Sequence, residues 1–130
     1  MQTDLRSLLA AQSSITDLVG TRIYWSEAAQ GKQRPLIVLH LISEISEYTV
    51  AGTVDLESSL VQIDCWGNTL TDALAVSEAV KAVLSGYKGT VGDTTFQGVF
   101  KESERQDFSK PGNGEEKFHR VSSDYQVWHA

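Results

Sequence analysis

The residues of this chain that could carry out nucleophilic chemistry are one cysteine and three histidines. Cys65 follows Asp64, and His40 or His119 could act as a distant base for its thiol. A catalytic thiolate needs an electropositive, partly open setting, whereas Cys65 falls on the apolar side of an alternating segment. The pattern therefore favours a cysteine packed in the core over a nucleophile.

The three histidines do not show the spacing of a metal site. If His119 and His129 lie on one strand, they are about 33 Å apart at roughly 3.3 Å per residue and cannot share an ion. A site that includes His40 or any other ligand would require a coincidence of the tertiary structure. We predict no metal site and no cofactor, with each histidine solvated or hydrogen-bonded.

Acidic residues in the last third of the chain could supply a pair of carboxylates for acid–base catalysis. They are Glu102, Glu104, Asp107, Glu115 and Glu116. Nothing in their spacing marks two of them as a pair, and acids in a polar loop mostly serve solubility. No glycine-rich phosphate loop or dinucleotide turn follows a predicted strand. We therefore expect no enzymatic activity and favour a structural or binding role.

The clearest structural pattern is a strand followed by a helix. Residues 60–66 alternate in polarity as a strand does, and a Gly-Asn corner comes next. Thr69 stands three residues before Asp72, which predicts a capped helix start. Apolar residues then recur every three or four positions until Gly86, where the helix is expected to end.

The rest of the chain predicts one more helix and three more long strands. A leucine-rich stripe predicts a helix over residues 4–19, with a weak point at the Ser13-Ser14 pair. A short extended piece is expected at 21–25. The other predicted strands are 36–42, 94–104 (with Phe96 and Phe100 on one face and Val99 on the other) and 118–128.

These elements predict a single α+β domain over residues 1–130, with the order α-β-β-α-β-β. The expected sheet is four-stranded and mainly antiparallel, with both helices packed on one face. The strand at 36–42 should pair with that at 60–66, and the strands at 94–104 and 118–128 should form a hairpin. The other face would carry large apolar groups such as Trp66 or Trp128, which predicts a partner or a second copy.

Composition describes an ordinary globular domain. The chain has 130 residues, of which 41% are hydrophobic and 22% charged, and its formal net charge is −6. That charge argues against a broad cationic surface for nucleic acid. One cysteine excludes an intramolecular disulfide, and no segment reaches the roughly 20 apolar residues of a membrane span. Charges within the first twenty residues break the pattern of a secretory signal, so we expect synthesis and use in the cytoplasm.

Three segments in this order resemble the tail completion proteins of long-tailed bacteriophages, a family similar to the tail terminators of lambda-like phages. They read RPLIVL at 34–39, VQIDCW at 61–66 and DYQVW at 124–128. The amino-terminal helix and the RIY at 22–24 also suit the pattern, so the resemblance spans nearly the whole chain.

The resemblance implies a subunit that assembles as a homo-hexameric ring on the head-proximal end of the tail tube. There it would end tail polymerisation and form the joint between the tail tube protein and the head connector protein. The protein would be part of the virion tail, assembled in the host cytoplasm without any membrane. DNA would pass through the ring without specific binding, and an acidic lumen would repel it.

For the assembly interface we expect Lys110, Glu115 and Glu116 of an exposed polar loop, together with Trp128. Deleting residues 111–114 should leave the fold intact and weaken assembly. The alternatives are another head–tail joining protein such as a head completion or minor tail subunit, or a small α+β enzyme or ligand-binding domain. An ordinary bacterial domain with a coincidental likeness is a further alternative.

Overall fold

The computed structural model describes residues 1–27, 33–49, 52–109 and 118–130. It contains three helices: α1 (Gln2–Ala10), α2 (Ser13–Val19) and α3 (Leu70–Leu84). Its six strands are β1 (Ile23–Trp25), β2 (Leu36–Thr49), β3 (Gly52–Gly67), β4 (Gly89–Val91), β5 (Thr94–Ser109) and β6 (Phe118–His129).

All six strands belong to one curled, mixed sheet with the order β1-β2-β3-β6-β5-β4. β1 runs parallel to β2, and every other neighbouring pair is antiparallel. The predicted pairing of the segments at 36–42 and 60–66 is confirmed, and so is the hairpin formed by the last two long strands.

The helices pack on one face of this sheet, where the alternation of the strands places the apolar side chains. Val61, Ile63 and Cys65 of β3 point to this face and are almost completely buried, as the sequence predicts. Tyr125 of β6 lies beside them because it pairs with Val61. The buried side chains contributed by the helices are Leu5, Leu8, Leu9, Ile15, Val19, Val76, Val80 and Leu84.

The corner between β3 and α3 follows the local signals closely. Thr69 Oγ1 accepts a 3.1 Å hydrogen bond from the Asp72 amide, which is the predicted cap. Gly67 is required for space, since a Cβ there would lie 2.7 Å from the Ala73 nitrogen. Gly86 adopts a left-handed φ of 76° just after the helix, and its amide donates to the Val99 carbonyl at 2.7 Å.

The predicted four-stranded sheet with two helices is wrong. Two strands of three residues each, β1 and β4, extend the sheet at its two edges. The predicted helix over residues 4–19 is also divided, because Gln12 adopts an extended backbone between α1 and α2. The division falls immediately before Ser13, and serine is a poor residue for a helix interior.

The predicted faces of β5 are wrong beyond its first residues. Phe96 pairs with His129 and Gly98 with Trp128, so one extra residue is inserted in β5 at this point. A bulge of this kind exchanges the two faces of the strand that follows. As a result Val99 is buried under the helices, whereas 52% of Phe100 is exposed.

Candidate assembly interface

The sheet face opposite the helices, here called the open face, is the candidate functional surface. All the described helices pack on the other face. On β3 and β6 the open face consists of the even-numbered residues at 58–66 and 118–128, and the paired residues of β2 and β5 extend it. It has a polar half near the β5–β6 connection and an apolar half near the chain terminus.

The buried carboxylate of Asp64 is the centre of the polar half. Ser122 Oγ donates a 2.6 Å hydrogen bond to Asp64 Oδ1, and Gln62 Nε2 donates to the same oxygen at 2.9 Å. His40 Nε2 lies 3.1 Å from the second oxygen, Oδ2. These contacts join β2, β3 and β6, so a buried charge is satisfied at the middle of the sheet.

Arg120 connects this carboxylate to the next strand. Its guanidinium lies 3.7 Å from Asp64 and forms two hydrogen bonds with Asp107 of β5. The hydrogen bonds to Asp107 raise the pKa of Arg120 above its ordinary value. The same guanidinium lies 5.4 Å from the centre of the Trp66 ring, and Trp66 packs against Phe118 at 4.8 Å.

A second arginine forms a similar link nearer the middle of β5. Arg105 donates to Asp124 at 3.1 Å and to Gln62 Oε1 at 2.9 Å. Ser103 also donates to Asp124, at 3.0 Å. The polar half is therefore a continuous network across four strands, in which the charged groups are largely neutralised by one another.

The apolar half is a band formed by Ile45, Leu60, Phe100 and Trp128. Ile45 pairs with Ser58, which pairs with Trp128, and Leu60 pairs with Gln126, which pairs with Phe100. Leu60 and Trp128 are half-buried, but 59% of Ile45 and 52% of Phe100 are exposed. Ile42, at the neighbouring bulge of β2, is also 52% exposed. We refer to the first four residues as the apolar band.

Of the residues predicted for the interface, the structure describes only Trp128. It lies on the open face within the apolar band, which agrees with the expected position of a large apolar group there. Lys110, Glu115 and Glu116 lie outside the described residues. β5 ends at Ser109, and β6 begins at Phe118. Phe118 is about 33 Å from Trp128 along β6, at roughly 3.3 Å per residue.

Cys65 does not form a nucleophile–base pair with His40 or His119. Burial raises the pKa of the Cys65 thiol, and Cys65 faces the helices, as predicted for a core cysteine. Asp64 points to the opposite face, where it holds His40. His119 packs against Phe108 with a ring separation of 4.8 Å.

The exposed residues Ile45 and Phe100 were not predicted for this surface. Both follow bulges, so a strict alternation of faces assigns them wrongly or not at all. The signal that could have identified Phe100 is Gly98, since a glycine inside a strand often marks a bulge.

The fold and the open face together define a small α+β subunit with one sheet surface that none of the described helices covers. The family model for "Tail completion protein gp17" matches residues 3–130. The chain therefore belongs to the tail completion protein gp17 family. It is a structural protein of a phage tail and a component of the virion tail.

One solved structure shows that the fold occurs in another protein. A chain from the structure titled "Virion of native gene transfer agent (GTA) particle" is 15% identical and matches with a TM-score of 0.76, covering 99% of this chain and 93% of that one. A second chain is 16% identical with a TM-score of 0.45, covering 98% and 95%. No curated protein sequence matches the chain significantly.

Within the described ranges, no helix is both long and apolar enough to cross a bilayer.

Proposed function

We propose that this protein caps the head-proximal end of a phage tail tube as a ring of six identical subunits. In this role it ends tail polymerisation and forms the joint between the tail tube protein and the head connector protein. The chemistry is association rather than catalysis, and DNA passes through the ring without specific binding. Membership in the tail completion family supports the tail location, and the apolar band supports the association.

The apolar band is the observation that carries the proposal. Ile45 and Phe100 leave more than half of their surface in water on the face that the described helices leave uncovered. Full burial of a side chain of this size contributes about 1.5–3 kcal/mol, so burial of the exposed half of each contributes roughly half as much. A band of aromatic and aliphatic residues beside a polar, hydrogen-bonded region is the usual composition of a protein interface.

The polar network gives this interface a rigid frame. Arg105 and Arg120 are held by carboxylates of the same chain, so their side chains are ordered before any partner binds. Ordering of long side chains on association costs about 0.5–1.5 kcal/mol for each one. A surface that has already been ordered avoids this cost and can present the same contact repeatedly around a ring.

The loop residues Lys110, Glu115 and Glu116 belong to the proposed assembly surface as well. β5 ends at Ser109 and β6 begins at Phe118, and both of these residues lie at the end of the sheet remote from the apolar band. We propose that the loop and the band serve two different contacts of one subunit. In a head-to-tail ring each subunit must offer two different surfaces to its neighbours.

The similar chain of known structure supports assembly in a particle. It comes from a virion of a gene transfer agent, and the alignment covers almost all of both chains. We infer that this fold is suited to incorporation into a virion as a complete domain.

A pair of phenylalanine substitutions tests the proposal. Phe100 and Phe108 lie on the same strand and are 52% and 51% exposed, but Phe108 pairs with His119 and faces the helix side. We expect the wild-type protein and Phe108→Asp to form rings in light scattering and negative-stain images at high concentration, and Phe100→Asp to remain monomeric. Equal association of both variants would show that the apolar band is not the interface.

Tail length distinguishes termination from other joining roles. In phage that carry Phe100→Asp, we expect tails of abnormal, extended length without attached heads, whereas Phe108→Asp should give tails of normal length. Tails of normal length that lack heads in the Phe100→Asp phage would instead favour a head-joining role without termination.

A further inference from the structure

A pocket outside the open face brings together one histidine and two glutamates. It lies at the amino-terminal end of α1, on the helix-bearing side of the sheet, and has a volume of about 900 Å³. Glu44 of β2, Glu57 of β3 and His129 of β6 line it. None of these three residues lies on the open face, so the inference below is independent of the proposed function.

The three side chains converge because of the strand register. Glu57 pairs with His129, and Glu44 pairs with Ser59, which lies two residues from Glu57 on the same face. One ring nitrogen of His129 and one oxygen from each carboxylate all lie within 4.8 Å of one another. Three neighbouring strands therefore each contribute one donor atom to a single point.

The histidine is held in the way that metal-binding histidines usually are. His129 is 4% exposed, and its Nε2 lies 2.8 Å from Ser59 Oγ. In metal sites the second ring nitrogen commonly has such a hydrogen-bond partner, which fixes the ring and its tautomer. No other hydrogen bond to the ring of His129 occurs within the described residues, so the imidazole keeps one nitrogen for a ligand.

We propose that Glu44, Glu57 and His129 form a binding site for a divalent transition-metal ion of the zinc type. One imidazole nitrogen and two carboxylate oxygens are ligands that Zn²⁺ accepts, and a tetrahedral ion keeps its fourth position for water or another group from the pocket. The imidazole favours Zn²⁺ over Mg²⁺ and Ca²⁺, which prefer oxygen ligands alone.

The spacing of the donors is compatible with this ion after a small movement. Tetrahedral ligands at about 2.0–2.1 Å from zinc lie about 3.4 Å from one another, so donor atoms up to 4.8 Å apart must approach by up to about 1.4 Å. Glu44 is exposed and Glu57 half-buried, so both carboxylates can rotate, whereas His129 is fixed.

The charges around the pocket also favour a cation. A hydrogen bond to Glu57 raises the pKa of Glu44, with further contributions from burial and from repulsion between the two carboxylates. Asp4 and Asp93 line the same pocket, and Asp4 accepts a 2.6 Å hydrogen bond from Thr94. Burial lowers the pKa of His129 below its ordinary value.

An ion at this point would join β2, β3 and β6 beside the start of α1. Any ligand that binds the folded chain and not the unfolded chain stabilises the fold. Zn²⁺ should therefore raise the thermal unfolding temperature of the complete chain.

Calorimetry with the complete chain, freed of metal by chelation, tests the site. We expect ZnCl₂ to bind with a stoichiometry of one per chain, and CaCl₂ and MgCl₂ to bind at least tenfold more weakly. Glu57→Gln and His129→Gln should each weaken Zn²⁺ binding at least tenfold, whereas Glu102→Gln, an exposed acid on β5, should leave it unchanged. Ser59→Ala should weaken binding by about tenfold through the lost orientation of the ring.

A spectroscopic measurement keeps the test independent of stability. In ¹H–¹⁵N spectra the ring nitrogen signals of His129 should shift on addition of Zn²⁺, while those of His119 stay in place. The proposal is overturned if His129 does not shift at a saturating Zn²⁺ concentration, or if Glu57→Gln binds as well as Glu102→Gln. Equal affinity for Ca²⁺ and Zn²⁺ would also overturn it, because the imidazole would then not be a ligand.

Discussion

Ser122 Oγ donates a 2.6 Å hydrogen bond to the carboxylate of Asp64 on the neighbouring strand, and both residues are almost completely buried. The pair lies at the centre of the network that spans the open face. We predict that Asp64→Ala lowers the free energy of unfolding by about 3 kcal/mol or more, because at least two hydrogen bonds to a buried charged group are lost and each contributes roughly 1.5–3 kcal/mol. Urea denaturation followed by circular dichroism measures this change.

Asp124 is the matched control for Asp64. It is an aspartate on the same face with its own arginine partner, but its side chain is 23% exposed against 2% for Asp64. Because exposed ion pairs contribute little, Asp124→Ala should cost less than about 1 kcal/mol. Similar losses in the two variants would show that the burial of Asp64 does not determine its importance.

Tyr125 should make the fold sensitive to alkaline pH. Burial raises the pKa of its phenol, and within the described residues its hydroxyl has no hydrogen-bond partner. The unfolded chain loses this proton near pH 10, while the folded chain keeps it. The stability that the protonated phenol contributes is therefore complete below pH 10. It decreases as the pH rises from about 10 toward the higher pKa of the folded state.

Tyr125→Phe removes this ionisation and the buried hydroxyl together. We expect the unfolding free energy at pH 7 to stay within about 1 kcal/mol of wild type or to increase, since an unpaired buried polar group is lost. Above pH 10 the wild type should lose up to about 1.36 kcal/mol per pH unit more than the variant. Parallel stability curves from pH 7 to 11 would contradict the assignment.

The cap of α3 can be measured separately from the sheet. Thr69→Ala removes the acceptor of the Asp72 amide and should lower the unfolding free energy by about 1 kcal/mol, within the range of 0.5–2 kcal/mol for such caps. Thr71→Ala changes an exposed threonine inside the same helix and should have little effect or stabilise slightly. Equal effects would assign the loss to helix propensity and not to the cap.

The segment between β5 and β6 provides a test of the second proposed contact. Deleting residues 111–114 should leave the thermal unfolding temperature nearly unchanged, because the loop connects strands that are already paired from Ser109 and Phe118 onward. Association measured by light scattering should become weaker. Unchanged association would remove Lys110, Glu115 and Glu116 from the assembly surface.

The sequence was sufficient for the elements whose signals are local. The alternation of Val61, Ile63 and Cys65 identified the buried face of β3, and Thr69 and Gly86 marked the two ends of α3. Three of the four long strands show a period of two residues, and the strand at 36–42 is indicated instead by a run that is apolar on both faces. The order of these segments also indicated the tail completion family.

The tertiary structure alone decided the features that depend on partners far along the chain. β4 has three residues, too few for a periodic pattern, and β1, expected only as a short extended piece within 21–25, becomes a sheet strand by pairing with β2. The bulge before Gly98 turned Phe100 outward, because one unpaired residue reverses every later side chain. Glu44, Glu57 and His129 meet only through the register of three strands, since no spacing within one segment can bring such distant residues together.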